Sequence, residues 1–406
     1  MKKKIVLIAT LDTKGKESLY LKNIIEKEHQ LISVDMGTGA RGSLVYPPEF
    51  TNEDVVTAAG SNMDEIRSLG DTGQENKIMD IMTEGTTTIC HELYGSGRMD
   101  GIISVGGTMG TNLGAKVMRA LPFGLPKVML STVASGDVRQ YVGTKDIVMI
   151  PSIADIAGLN RITETTLTYT AGAIMGMVGV DKVKSSDRPV IGITTLGGTT
   201  NCALEAKKLL EEKNFEVVIF HANGMGGKAM EEMIEEGIIQ GVLDISTNEI
   251  VDHMYQGWSD AGPTRLLAAG KKGIPQVIAP GNIDHIIYSS LDKIPAQFKD
   301  QYVHIHAPGI NVLRTKEKEM VEVAEFMADR IKQAKGKTAI IFPTKGLSIL
   351  DQVDKEFDDI EANFAWFNTI KGLLNGGMAI REIDVHVTET AFGVAAADML
   401  YEMMQN

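Results

Sequence analysis

The chain has 406 residues, 43% of them hydrophobic, and a formal net charge of -13. That length predicts two domains with sizeable cores, and the acidic balance argues against a nucleic-acid-binding surface. No run of about 18 apolar residues offers a membrane span. Two distant cysteines without metal-ligand spacing, Cys90 and Cys202, fit a reducing, cytoplasmic setting.

Lys4 to Thr10 reads as a first strand and not as a signal peptide, because Asp12 ends the apolar run early. A loop, Leu11 to Gly15, leads into a helix ending near Glu28, and Leu31 to Asp35 forms the second strand. Asp35 holds the position that meets a ribose hydroxyl in dinucleotide folds, although no G-x-G-x-x-G follows the first strand. Met36 to Phe50 is a loop rich in glycine and proline. Helices are predicted over Asn52–Gly70, broken near Gly60, and over Thr72–Gly95.

The stretch Gly101 to Pro122 organises the first half. An apolar strand meets Gly106-Gly107, and Leu113, Val117 and Met118 then recur at helical spacing. Thr108 and Thr111 are placed to cap that helix. A helix N-terminus presents unpaired N–H groups and partial positive charge, so such a turn suits a phosphate. The unit recurs at Ile191 to Leu210, where Gly197-Gly198-Thr199 takes the same place, and again at Val217 to Ile234. Pro126 to Ser131 is another strand. Its C-terminal end carries the polar loop with Ser131, Thr132, Ser135, Gly136 and Asp137, where α/β proteins hold ligands. Asp155 to Val180 is mostly helical, and Asp181 to Arg188 reads as a charged linker.

The second half repeats the alternation, with strands at Val190–Thr195, Glu216–His221, Gly241–Ile245, Gln276–Ala279, Tyr302–His306, Thr338–Phe342 and Glu382–Val387. A strong amphipathic helix covers Lys316 to Lys335. Alternating βα units predict parallel, doubly wound sheets: an α/β protein of two Rossmann-like domains, residues 1–184 and 189–406.

Several residues could carry chemistry. Lys14 stands at a strand end as a phosphate lysine or a surface lysine, and the P-loop pattern is missing. Asp12 either holds Mg²⁺ through water or caps the following helix. His221 ends a strand and suits a general base or a backbone-bonded ring. Asp244 and Glu249 form an acid–base pair, or else Thr247 is an N-cap with Glu249 a first-turn carboxylate. Arg265 clamps an anion or forms a salt bridge. His304 and His306 share a strand face without an identifiable third metal ligand.

The motifs TLDTKG, ISVGGTMGT, LPKVMLSTVASGDVRQYVG, DIAGLNRI, FHANGMGGKAME, AGPTRL, GIPQVIAPGNID and FPTKGLSILD occur in that order. They resemble the ATP-binding two-domain family of the tomato mosaic virus resistance protein, over nearly the whole chain. The resemblance implies two Rossmann-like domains, ATP binding and homo-oligomers of two or more subunits, with no settled catalytic activity. The plant member's protein partner, a viral replication protein, does not carry over to this chain. Met109 departs from a usual glycine, and Asn223 and Met225 from threonines.

The expectation is an ATP site in the first domain. It would use Asp12, Thr13, Lys14, Asp35, Gly106, Gly107, Thr108, Gly110, Thr111, Ser131, Thr132 and Ser135, with Mg²⁺ carried on the phosphates and no dedicated metal site. His221, Asp244, Glu249 and Arg265 would act on a small acidic metabolite in an interdomain cleft, with ATP as cosubstrate or effector. The alternative is a nucleotide-gated protein-binding or regulatory module without turnover. The sequence leaves open which of these holds.

Overall fold

The computed structural model describes residues 2–39, 44–181, 183, 186–374 and 377–405. The chain divides into two compact units, Met1–Val183 and Lys184–Asn406. Lys182, Lys184 and Ser185 of the expected linker lie outside the described residues, as do Ala40 to Ser43 of the expected Met36–Phe50 loop.

In the first unit, β1 (Lys4–Ala9), β2 (Gln30–Asp35), β3 (Gly101–Gly106), β4 (Lys127–Ser131) and β5 (Ile147–Pro151) make one sheet, ordered β2-β1-β3-β4-β5. Every pairing in it is parallel. The helices are α1 (Leu11–Ile25), α2 (Asn52–Ala58), α3 (Met63–Asp71), α4 (Glu75–Gly95), α5 (Thr108–Ala120), α6 (Arg139–Val142) and α7 (Arg161–Gly179). Because strand side chains alternate, Ile5 and Leu7 of β1 pack with Leu21 of α1 and Leu167 and Ile174 of α7. Val6 and Ile8 pack on the other face, with Met82 of α4 and Leu113 and Val117 of α5. Covered on both faces, these strands read as continuous apolar runs.

The second unit repeats the design. Its main strands are β6 (Val190–Thr195), β7 (Glu216–His221), β8 (Gly241–Ser246) and β9 (Gln276–Gly281). Between them and the last two main strands lie β10 (His285–Tyr288), β11 (Val303–Ala307) and β12 (Ile310–Arg314). The main sheet closes with β13 (Thr338–Pro343) and β14 (Ala379–Ile383), in the parallel order β14-β13-β9-β8-β6-β7. The helices are α8 (Thr200–Glu212), α9 (Gly226–Glu235), α10 (Asn248–Met254), α11 (Ala268–Lys272), α12 (Glu317–Ile331), α13 (Ile360–Leu374) and α14 (Thr390–Gln405). The face of α12 expected to be apolar, with Met320, Val323, Ala324, Met327 and Ile331, is buried in the largest core. Both units are doubly wound, Rossmann-like α/β layers, as the alternation of elements predicts.

Four local expectations are corrected. Leu11 to Gly15 is the first turn of α1 and not a loop, because the Asp35 carboxylate accepts the Leu11 N–H at 2.9 Å and so starts the helix at once. Ile147–Pro151 is a strand that the sequence reading leaves unassigned. It lies at the sheet edge, where a terminal proline costs no ladder bond. β11 does not join the main sheet but forms an antiparallel β10-β12-β11 sheet. The last strand is shifted to Ala379–Ile383, where it pairs with β13.

Candidate functional site

In both sheets the strand order reverses between the first and third strands of the unit, β1/β3 and β6/β8. Ligands of open α/β sheets bind beyond the carboxyl ends of the strands at that reversal. A cavity of about 530 Å³ opens at the first reversal. Thr10, Asp12, Thr13 and Lys14 line it from the end of β1, and Gly107, Thr108, Met109 and Gly110 from the end of β3. Met36, Ile78, Met79, Met82 and Leu113 form an apolar wall. Gly107 is the N-cap of α5 and supplies no side-chain cap, so the first-turn N–H groups have no intrahelical partner. A Cβ at Gly106 would lie 2.7 Å from the Gly110 carbonyl carbon, so this glycine lets α5 pack on the strand end. At Gly107 a Cβ would meet only Thr132 Oγ1, at 3.9 Å, so the second glycine faces open space.

Not every expected nucleotide residue reaches this cavity. Asp35 is buried, and its Oδ1 accepts the N–H of Leu11 at 2.9 Å and of Gly37 at 2.8 Å. Burial pushes its carboxyl above the usual range against those two donors. It organises the β1 and β2 ends and is not turned to a ribose. The Thr111 hydroxyl is not a cap: it is buried, bonded to Ser131 Oγ at 2.7 Å and directed to the Gly106 carbonyl. Ser131 Oγ also accepts the Val133 N–H at 3.1 Å, which commits both hydroxyls to the fold. Thr132 is half-buried beside Gly107, and Ser135 is exposed outside the cavity lining. Lys14 lines the cavity, and its ammonium donates to the Ile156 carbonyl. Its non-helical backbone, φ -120° and ψ 21°, kinks α1 at that point.

In the second unit the expected acid–base residues are interior. Arg265 is buried and donates from Nη1 and Nη2 to Asp244 at 2.6 and 2.7 Å, and from Nε to Glu249 at 2.8 Å. Glu231 completes the cluster at 3.2 Å from Nη1. Burial opposes the charge on Arg265, yet the carboxylates of Asp244, Glu249 and Glu231 raise its pKa well above the ordinary value. Burial likewise pushes the Glu231 carboxyl up. Asp244 and Glu249 are therefore not an acid–base pair facing a ligand; both neutralise one guanidinium. Glu249 Oε1 also accepts the N–H groups of Gly224 at 2.8 Å and Gly227 at 3.0 Å. The third glycine turn holds an anion after all, and that anion is the protein's own. Thr247 occupies the N-cap of α10 without a side-chain cap, and its hydroxyl donates to Ala279 O at 3.0 Å.

A second cavity, about 370 Å³, lies at the β6/β8 end of the second sheet. Leu196, Trp258, Ile287, Ile310, Val312 and Ile349 give it an apolar wall, and Gly197-Gly198 closes one side. His221, His285 and His306 all line it. His221 is exposed and makes no side-chain hydrogen bond among the described residues, so the backbone-bonded reading does not apply. His304 and His306 lie with ring centroids 5.9 Å apart. Among the described residues no group of three or more His, Cys, Asp or Glu is arranged to hold a metal ion. The sequence reading missed His285 and its neighbour Asp284. Their adjacency in GNIDH, just past a strand end, is the only signal, and only the β9–β10 turn makes it meaningful.

Two doubly wound units, each with a glycine turn and a cavity at its strand-order reversal, define a class of tandem Rossmann-like α/β proteins. No helix among the described residues is long and apolar enough to cross a membrane. The chain belongs to the UPF0261 family: residues 3–183 match its N-terminal domain and residues 188–404 its C-terminal domain, each described as an uncharacterised protein family. A UPF0261 protein of Clostridium tetani is 39% identical over 407 residues, covering 100% of both chains. The ToMV resistance protein Tm-1(GCR237) of Solanum lycopersicum is 33% identical over 332 residues, which are 80% of this chain and 44% of the tomato protein. The resemblance read from the motifs is thus borne out. Among solved structures, UDP-N-acetylglucosamine 2-epimerase from Rickettsia bellii is 12% identical with a TM-score of 0.24, over 68% of this chain and 79% of that one. A likeness that low carries no argument.

Proposed function

We propose that the first unit binds ATP, and that the protein acts with it on a small acidic metabolite. The observation that carries this reading is the cavity at the β1/β3 reversal. There an uncapped helix N-terminus, a glycine facing open space and a lysine stand opposite an apolar wall. Its volume of about 530 Å³ lies within the range of small-molecule sites. The donor set suits the two ends of a nucleotide. Backbone N–H groups of α5 and the Lys14 ammonium would hold phosphates, and Met36, Ile78, Met79 and Met82 would face the base. Thr13 and Thr108 would add hydroxyls. Mg²⁺ would arrive on the phosphates, with Asp12 and Glu75 as the carboxylates of the cavity lining. When bound, ATP would supply a transferable phosphoryl group or an allosteric charge.

One observation favours the second reading, a nucleotide-gated module without turnover. Three of the four expected catalytic residues, Asp244, Glu249 and Arg265, are sealed inside an ion cluster. His221 alone among them lines a cavity. Calorimetry with Mg²⁺ and ATP tests the binding, and sedimentation with and without ATP tests the expected homo-oligomer. ADP release, measured across a panel of sugar acids and simple carboxylates, separates the two readings. Stimulation by one acid supports the enzyme. Tight binding with no ADP release under any of them supports the module.

A further inference from the structure

The cavity of the second unit has a built polar group that the acidic-metabolite reading does not by itself require. His285 opens β10 and is buried, with only 6% of its surface exposed. Its Nδ1 lies 3.1 Å from Oδ1 of Asp284, which is itself fully buried. The other carboxylate oxygen, Oδ2, accepts the Ser348 hydroxyl at 2.6 Å. Arg314, paired with His285 across β10 and β12, donates from Nη1 to the Asp284 carbonyl at 3.0 Å. Burial would raise the Asp284 pKa, but His285 and Arg314 hold it below the usual carboxylate range. An ionised carboxylate only accepts, so Nδ1 carries the proton and donates. In the neutral ring Nε2, which has no hydrogen bond among the described residues, is then the lone-pair acceptor on a residue lining the cavity. Such a carboxylate fixes the imidazole tautomer and ring orientation, as in other acid–base sites.

The rest of the wall restricts what fits. No carboxylate lines it, three imidazoles do, and the rest combines an aliphatic wall with the small polar side chains of Asn223, Ser259 and Ser348. Asn282 also lines it, and its Oδ1 is buried with no partner among the described residues, while Nδ2 donates to Leu196 O at 3.2 Å. A ligand donating from a hydroxyl group on an apolar body matches that inventory, and the acidic-metabolite reading adds its negative charge.

We propose that the second unit binds a small hydroxy acid with an apolar body in this cavity, and that His285, positioned by Asp284, receives the hydrogen bond of its hydroxyl at Nε2. The proposal rests on the acidic-metabolite reading and narrows it to a substrate class and to the group that reads its hydroxyl.

The chain carries its own reporter. Of its two tryptophans, Trp258 lines this cavity and Trp366 is buried in a core. Emission of the full chain is followed while 2-hydroxyisocaproate, its uncharged counterpart 4-methylpentan-2-ol, or inorganic phosphate is added at millimolar concentration. The expected result is a saturable change with the hydroxy acid, absent in Trp258→Phe and weaker with the alcohol. His285→Gln should weaken the response by about tenfold, the loss of one buried hydrogen bond. Asp284→Asn should do the same and change the His285 tautomer seen in ¹⁵N spectra. Should Asp284→Asn fail to fold, the ¹⁵N spectrum of the unaltered chain still decides: His285 must carry its proton on Nδ1. A proton on Nε2, an equal response to the alcohol, a response to phosphate alone, or no response to any probe overturns the proposal. Calorimetry with ATP on the same sample keeps the two readings apart. A chain that binds ATP yet gives no Trp258 response refutes this inference and leaves the nucleotide reading standing.

Discussion

Gly107 is the position where one side chain should separate binding from folding. Its φ of -73° and ψ of -163° are open to any residue, and an added Cβ meets nothing closer than 3.9 Å. Gly107→Val should therefore leave the melting temperature unchanged while ATP binding disappears, because the bulk stands over the α5 N–H groups. Each charge-assisted bond lost there contributes roughly 1.5–3 kcal/mol. Unchanged affinity by calorimetry in the folded variant would remove this turn from the site. Gly198→Val is not a neutral control, since its Cβ would press to 3.0 Å on Ile349 and Thr388. His221 gives the complementary case: exposed and unbonded among the described residues, it lends nothing to the core. His221→Gln should keep the melting temperature and shift ligand affinity in the second unit by less than about tenfold, the scale of one neutral hydrogen bond. A lowered melting temperature would show a structural role that the geometry does not support.

At the scale of elements, identical local patterns acquire different occupants. The β3–α5 turn opens on a cavity, whereas the β7–α9 turn is filled by Glu249, and a Cβ at Gly227 would overlap that carboxylate. The cluster ties α9, β8 and α10 to Arg265. Arg265→Leu would leave Asp244, Glu249 and Glu231 buried without their cation. It should cost about 3–5 kcal/mol in denaturant unfolding, the usual penalty for breaking a buried pair. A loss below about 1 kcal/mol would mean that water reaches the cluster. Acidity acts on the same unit through α10. Burial pushes the Asp252 carboxyl up to about 7, although it accepts the N–H groups of Ile287 and Ser259. Burial pushes Asp351 up to about 6. An acid whose folded pKa lies above its unfolded one binds more protons when folded, so its contribution to stability falls as pH rises through that window. Melting of the second unit should therefore lose a favourable contribution between pH 4 and about 7, and Asp252→Asn should flatten that slope. An unchanged slope in the variant would refute the assignment.

At the scale of the whole molecule, each unit has its own sheet, its own cores and its own cavity. The cavity expected to take ATP is lined wholly by residues of the first unit. Residues 1–183 expressed alone should thus fold and bind ATP with the affinity of the full chain. A hundredfold excess of ATP over its dissociation constant should stabilise that fragment by about 2.7 kcal/mol, seen as a higher melting temperature. A fragment that folds but no longer binds would show that the second unit contributes to the site.

The order of strands and helices, the two units and the amphipathic face of α12 follow from hydrophobic periodicity, because burial imposes its period on the residues that face a core. Gly106-Gly107 and Lys14 were legible as phosphate candidates for the same local reason: a strand, a glycine turn and a helix start are written within a few residues. What fills each turn is not local. Glu249 lies 22 residues beyond the Gly227 N–H it satisfies, Asp35 lies 24 beyond Leu11, and Arg265 lies 34 beyond Glu231. Only the folded sheet, which brings its strand ends to one edge, decides that Asp244, Glu249 and Arg265 neutralise one another inside. The same packing leaves His285, unremarkable in the sequence, at a cavity wall with a carboxylate behind it.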